Sequence, residues 1–131
     1  PTETVPVEVE AGSRVVINVG GESVGVLSVE PVCTVTGNAQ NREITAVAAG
    51  RVGGTRYRLT VIAQGVSGDG DSPGTFELIT GVDDNRTAAS GEGPVTSTFL
   101  DGGFVSLAFN SLLEDADQRT RVRGTVTCPT G

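Results

Sequence analysis

The sequence predicts an all-β domain: an antiparallel β-sandwich or flattened barrel of eight or nine short strands, closed by one disulfide. Three observations carry this. Val, Thr and Gly supply 20, 16 and 19 of the 131 residues, and the first two favour strands while the third favours turns. Apolar residues recur with a period of two, as where Tyr57, Leu59, Val61 and Ala63 alternate with Arg56, Arg58, Thr60 and Ile62, the pattern of a strand with one buried face. Turn signals separate such runs at steady spacing, without a βαβ rhythm or an internal repeat. A chain of 131 residues holds a single domain.

Residues 1–12 read as a polar, extended tether or a first edge strand, since Val5, Val7 and Val9 alternate with Pro6, Glu8 and Glu10. The β domain occupies 13–131. Arg14 to Val19 is a strand that breaks at Gly20-Gly21-Glu22 and resumes from Ser23 to Val29. Pro31 restarts the chain into Val32 to Thr36, and Gly37 to Asn41 is a polar turn. Glu43 to Ala49 fits either a strand or a short helical turn, because alanine favours helix. From Thr55 the alternation is clear. Gly65 to Gly74, rich in glycine with two aspartates and a proline, is expected to be a loop, followed by a strand from Thr75 to Val82. Asp83 to Pro94 reads as a second loop. Val95 to Leu100 then passes through Asp101-Gly102-Gly103 into Phe104 to Phe109, the strongest hairpin signal in the chain. Ser111 to Glu114 has capping-box spacing and can nucleate one helical turn. Arg119 to Cys128 closes the fold, with Thr120, Val122, Gly124, Val126 and Cys128 on one face and Arg119, Arg121, Arg123, Thr125 and Thr127 on the other.

Composition narrows function by exclusion. Sixteen Asp and Glu against nine Arg give a net charge of -7 and a pI near 4.4, the reverse of what a phosphate-tracking nucleic-acid binder needs. His, Lys, Met and Trp are absent, which removes imidazole bases, Ser-His-Asp and Cys-His nucleophiles and Schiff-base lysines. Carboxylates are plentiful, but no pair of them forms a recognisable glycosidase constellation. The Asp69-Gly70-Asp71-Ser72 and Asp83-Asp84-Asn85 stretches lack EF-hand spacing and read as turns rather than calcium sites. The reading is therefore a non-enzyme without cofactor or metal, and a monomer.

Cys33 and Cys128 lie far apart, each flanked by β-formers, so they fit one structural disulfide tying the last strand to an early one; two buried free thiols are the alternative. Closing a loop of this length is worth about 4 to 5 kcal/mol in the chain-entropy model. Such a bridge implies an oxidising compartment, and the chain is expected to begin after a signal or anchor segment.

The candidate interaction face is the arginine row Arg119, Arg121 and Arg123, with Arg56 and Arg58 expected beside it. A basic stripe on an acidic protein suits an anionic partner such as a lipid or glycan head group. The ordinary use of such a face is a solvated strand surface whose arginines pair with neighbouring acids.

Several stretches taken in order resemble the mycobacterial nineteen-kilodalton lipoprotein antigen family. They are Val15-Val16-Ile17 ahead of a glycine turn, Val32-Cys33-Thr34, Gly91-Glu92-Gly93 running through Thr96, Ser97 and Thr98 to Asp101-Gly102, and the closing Gly124-Thr125-Val126-Thr127-Cys128. Gly50 to Asp84 departs from the family. The family's cysteine pair falls on Cys33 and Cys128. The resemblance implies the ectodomain of an exported, lipid-anchored envelope protein at the surface of an actinobacterium, its membrane attachment made by an acylated terminus outside this sequence. Members of that family are antigens sensed by host innate receptors. A secreted binding module enclosing a small apolar ligand or lipid is the competing expectation.

Overall fold

The period-two pattern becomes strand almost wherever it occurs. The structure, a computed structural model, describes residues 12–38, 40–81, 87–114 and 119–129. They form nine strands: β1 (Gly12–Val19), β2 (Glu22–Leu27), β3 (Val32–Asn38), β4 (Asn41–Val52), β5 (Thr55–Val66), β6 (Gly70–Thr80), β7 (Thr87–Leu100), β8 (Phe104–Glu114) and β9 (Arg119–Pro129). All pair antiparallel in one sheet, in the order β2-β1-β9-β8-β7-β6-β5-β4-β3. The sheet curls so that its inner face becomes the core, which is the flattened-barrel form of the expected fold. Val15, Ile17, Ile44, Leu59, Val61, Leu107 and Val122 are fully buried there. Phe76 and Phe109 pack with ring centroids 5.4 Å apart, and the guanidinium of Arg42 covers the Phe99 ring at 4.9 Å.

The two edge strands, β2 and β3, are consecutive in sequence and meet the opposite end of the sheet along a seam. Among the described residues no strand ladder closes it. β2 and the chain just after it pack on β4 so tightly that a Cβ built at Gly25 would lie 2.5 Å from Val52 Cγ1, and one at Gly50 would lie 2.7 Å from Val29 Cγ1. Ser13 Oγ donates to Val29 O at 2.5 Å and accepts from Val29 N–H at 3.2 Å, which pins the chain leaving β2 to the start of β1. Below that point β3 is joined to β9 by the Cys33–Cys128 disulfide, with Cα atoms 5.8 Å apart. The expected bridge is present.

The Gly20-Gly21 turn has φ of +61° and +91°, the two positive values that a type I′ hairpin needs. Several boundaries differ from expectation. Glu43 to Ala49 is strand, because Ile44, Ala46 and Ala48 alternate into the core and β4 pairs on both sides, which outweighs the helical preference of alanine. The expected loop from Gly65 to Gly74 shrinks to residues 67–69, and the second loop gives up Thr87 to Pro94 to β7. Pro73 and Pro94 face one another across β6 and β7. Pairing of β5 with β6 stops at Ala63 and Gly74, and pairing of β7 with β8 is interrupted between Ser90 and Val95. Both prolines thus sit where a missing N–H breaks no ladder bond. Gly91 and Gly93 are in-strand close approaches: a Cβ would come within 2.6 Å of Leu112 O or Ser111 Oγ respectively. Ser111 to Glu114 is no helical turn but the end of β8, with Ser111 and Leu113 buried and Leu112 and Glu114 exposed. Residues 1–11, read as tether or edge strand, and Asp83-Asp84-Asn85 lie outside the described residues.

Candidate functional site

β9 runs through the sheet between β1 and β8, so its inner side chains are core and its outer ones form a row in solvent. Thr120, Val122, Val126 and Cys128 are buried, and Arg119, Arg121 and Arg123 are exposed, as the alternation predicts. Alternate Cα atoms on one strand face are about 6.7 Å apart, short enough for neighbouring guanidiniums to serve one ligand.

Register decides what flanks each arginine. Arg119 lies opposite Glu114 on β8, and its Nε is 3.8 Å from Glu114 Oε1. With side chains 76% and 65% exposed, that pair contributes little. Arg121 stands between Asn18 on β1 and Leu112 on β8, and Arg123 between Val16 and Asn110. Arg121 Nη1 donates to Asn110 Oδ1 at 2.7 Å, a diagonal bond that fixes both groups. Between them is a half-open depression of about 250 Å³ lined by Val16, Asn18, Ser23, Asn110, Arg121 and Arg123. Among the described residues its lining holds two cations, two carboxamides and a hydroxyl, but no carboxylate. Such a donor set disfavours metal cations and suits an oxyanion.

Arg56 and Arg58 do not join this row. They lie on the outer face of β5, four strand spacings from β9, or about 19 Å measured along the sheet. Their neighbour is Arg51 on β4, directly opposite Arg56 across the Gly53-Gly54 turn. Arg51, Val16, Asn18 and Asn110 were missed from the sequence. Arg51 was within reach of it, because a two-residue turn at Gly53-Gly54 places residue 51 opposite residue 56. Asn18 carried no such signal, since β1 and β9 are far apart in the chain, and Asn110 carried none because the sequence between Glu114 and Arg119 has no glycine turn that fixes its register against β9.

The acidic stretch at Asp69 to Ser72 does structural work. Asp69 Oδ1 accepts the Phe99 N–H at 2.7 Å, and Asp71 Oδ1 accepts the Thr96 hydroxyl at 2.5 Å, so both hold β6 and its approach to β7. Among the described residues no three His, Cys, Asp or Glu side chains gather as a metal-ligand set, and no helix is long and apolar enough to cross a membrane. The inner face is packed by side chains, including the Phe76–Phe109 pair, and gives the apolar-ligand reading no added support.

The disulfide places the chain in an oxidising, extracytoplasmic environment. No family model matches the chain, and neither does any curated protein or solved structure.

Proposed function

We propose that this chain is the non-enzymatic ectodomain of an exported, lipid-anchored cell-envelope protein, and that its task is recognition of an anionic partner through the outer face of β9. The observation that carries recognition is the depression between Arg121 and Arg123, whose lining among the described residues contains no carboxylate on a protein of net charge -7. Two guanidiniums held side by side, one oriented by Asn110, form a local attraction that opposes the field of the whole molecule. The anchor rests on the resemblance to the nineteen-kilodalton lipoprotein antigens and on the bridge that implies export.

Chromatography on an immobilised polyanion tests the recognition reading. An acidic domain without a cationic site passes through, whereas this domain is expected to be retained at low salt and released as salt rises. Changing Arg119, Arg121 and Arg123 together to Gln is expected to abolish retention, and passage of the unaltered domain would overturn the reading. For the anchor, the product of the complete gene is expected to enter the detergent phase in a phase-separation assay and to incorporate a fatty-acid label. A product that stays aqueous and unlabelled would remove the anchor while leaving the recognition face untouched.

A further inference from the structure

The chemistry of the β9 depression is more specific than attraction for negative charge. Two guanidiniums enter it from one strand, and carboxamides flank them from both sides, Asn18 from β1 and Asn110 from β8. The Asn110 oxygen is engaged by Arg121 Nη1, so its NH₂ group remains as a donor. Ser23, opposite Asn18 at the start of β2, adds a hydroxyl that both donates and accepts. Val16 supplies the apolar part of the lining. At about 250 Å³ the depression is smaller than the roughly 300–1,000 Å³ of pockets that take drug-sized ligands, which matches one ring-sized unit rather than an oligomer.

A bare inorganic anion would use the arginines and leave the neutral donors and the valine surface idle. A neutral sugar would use the latter and leave two cations unmatched. We infer that the depression binds a single sugar or cyclic polyol unit that bears an oxyanion, a uronate or a sugar phosphate. The anion sits on Arg121 and Arg123, the ring hydroxyls on Asn18, Asn110 and Ser23, and the C–H face of the ring on Val16. This rests on the reading of the β9 face as a recognition surface and names its ligand. The same chemistry occurs on a free acidic glycan and on an inositol phospholipid.

Amide and side-chain NMR of the labelled soluble domain tests it, with glucuronate and glucose 6-phosphate as probes and with glucose and inorganic phosphate as controls. The acidic sugars are expected to shift the signals of Asn18, Asn110, Arg121 and Arg123 and to bind at least about tenfold more tightly than either control. Arg121→Gln or Arg123→Gln is expected to weaken binding by about tenfold or more, while Arg56→Gln on the distant β5 leaves it unchanged. Unaltered amide spectra elsewhere in the sheet establish that these variants are folded. Equal binding of inorganic phosphate and glucose 6-phosphate would overturn the proposal while the broader recognition face survived. Absence of polyanion retention as well would remove both.

Co-sedimentation with vesicles of phosphatidylcholine containing either phosphatidylinositol or phosphatidylglycerol at equal charge separates the two sources. Preference for the inositol lipid supports the proposal with a membrane ligand. A response to the soluble sugars without that preference supports it with a free glycan. Binding to both vesicles alike, with no response to soluble sugars, would overturn it.

Discussion

Tyr57 is the only tyrosine in a chain without tryptophan, so its phenol can be followed by absorbance without interference. It faces the core from β5 and is 6% exposed, and burial pushes its ionisation above the ordinary value of 10.0. The folded state therefore holds this proton more tightly than the unfolded chain. The resulting stability is fully present below pH 10 and is lost as pH rises through the higher folded value. An ultraviolet titration is expected to show a midpoint above 10 in the native protein and a return toward 10 in urea. Tyr57→Phe should remove this contribution to the alkaline fall in melting temperature. Nothing in the sequence singled out Tyr57 beyond its place in an alternating strand. Its environment depends on β6 and β4 lying on either side of it.

At the scale of elements, the seam between β2 and β4 matters most, because it is closed by close packing where the rest of the sheet uses ladders. Gly25 has φ of +147°, and its missing Cβ leaves room for Val52. Gly25→Ala is expected to cost about 1 to 3 kcal/mol in urea unfolding through overpacking and strain. Truncating the opposing side chain in Gly25→Ala/Val52→Ala should cost less than the sum of the single changes, since the two sites touch. Gly68→Ala is the control. A Cβ there meets nothing within 4 Å, and stability should stay within about 0.5 kcal/mol. The in-strand glycines explain why two stretches looked like loops in the sequence. A glycine is read locally as a turn, yet Gly74, Gly91 and Gly93 serve contacts with strands that the local sequence does not display.

The whole molecule depends on Cys33–Cys128, which spans 95 residues and joins an edge strand to the middle of the opposite half of the sheet. Among the described residues β3 has only β4 as a ladder partner. Reduction, or Cys33→Ala with Cys128→Ala, is expected to lower stability by about 4 to 5 kcal/mol, read from the urea midpoint with and without a thiol reductant. Hydrogen exchange should show the largest loss of protection along β3, ahead of the strands paired on both sides. An equal loss throughout the sheet would mean that the bridge acts only on the unfolded chain.

Strand content, the glycine hairpins, the bridge and the outward arginines of β9 were legible in the sequence, because each follows from alternation or chain chemistry over a few residues. The sequence alone determined that this is an all-β domain with a basic row on one strand. The partners of that row were decided by tertiary structure. Asn18 and Asn110 reach Arg121 and Arg123 only because β1 pairs with β9 across more than a hundred residues and β8 returns on the other side. The same pairing carried Arg56 and Arg58 away from the row, since sheet order sets lateral position and residue spacing along the chain does not.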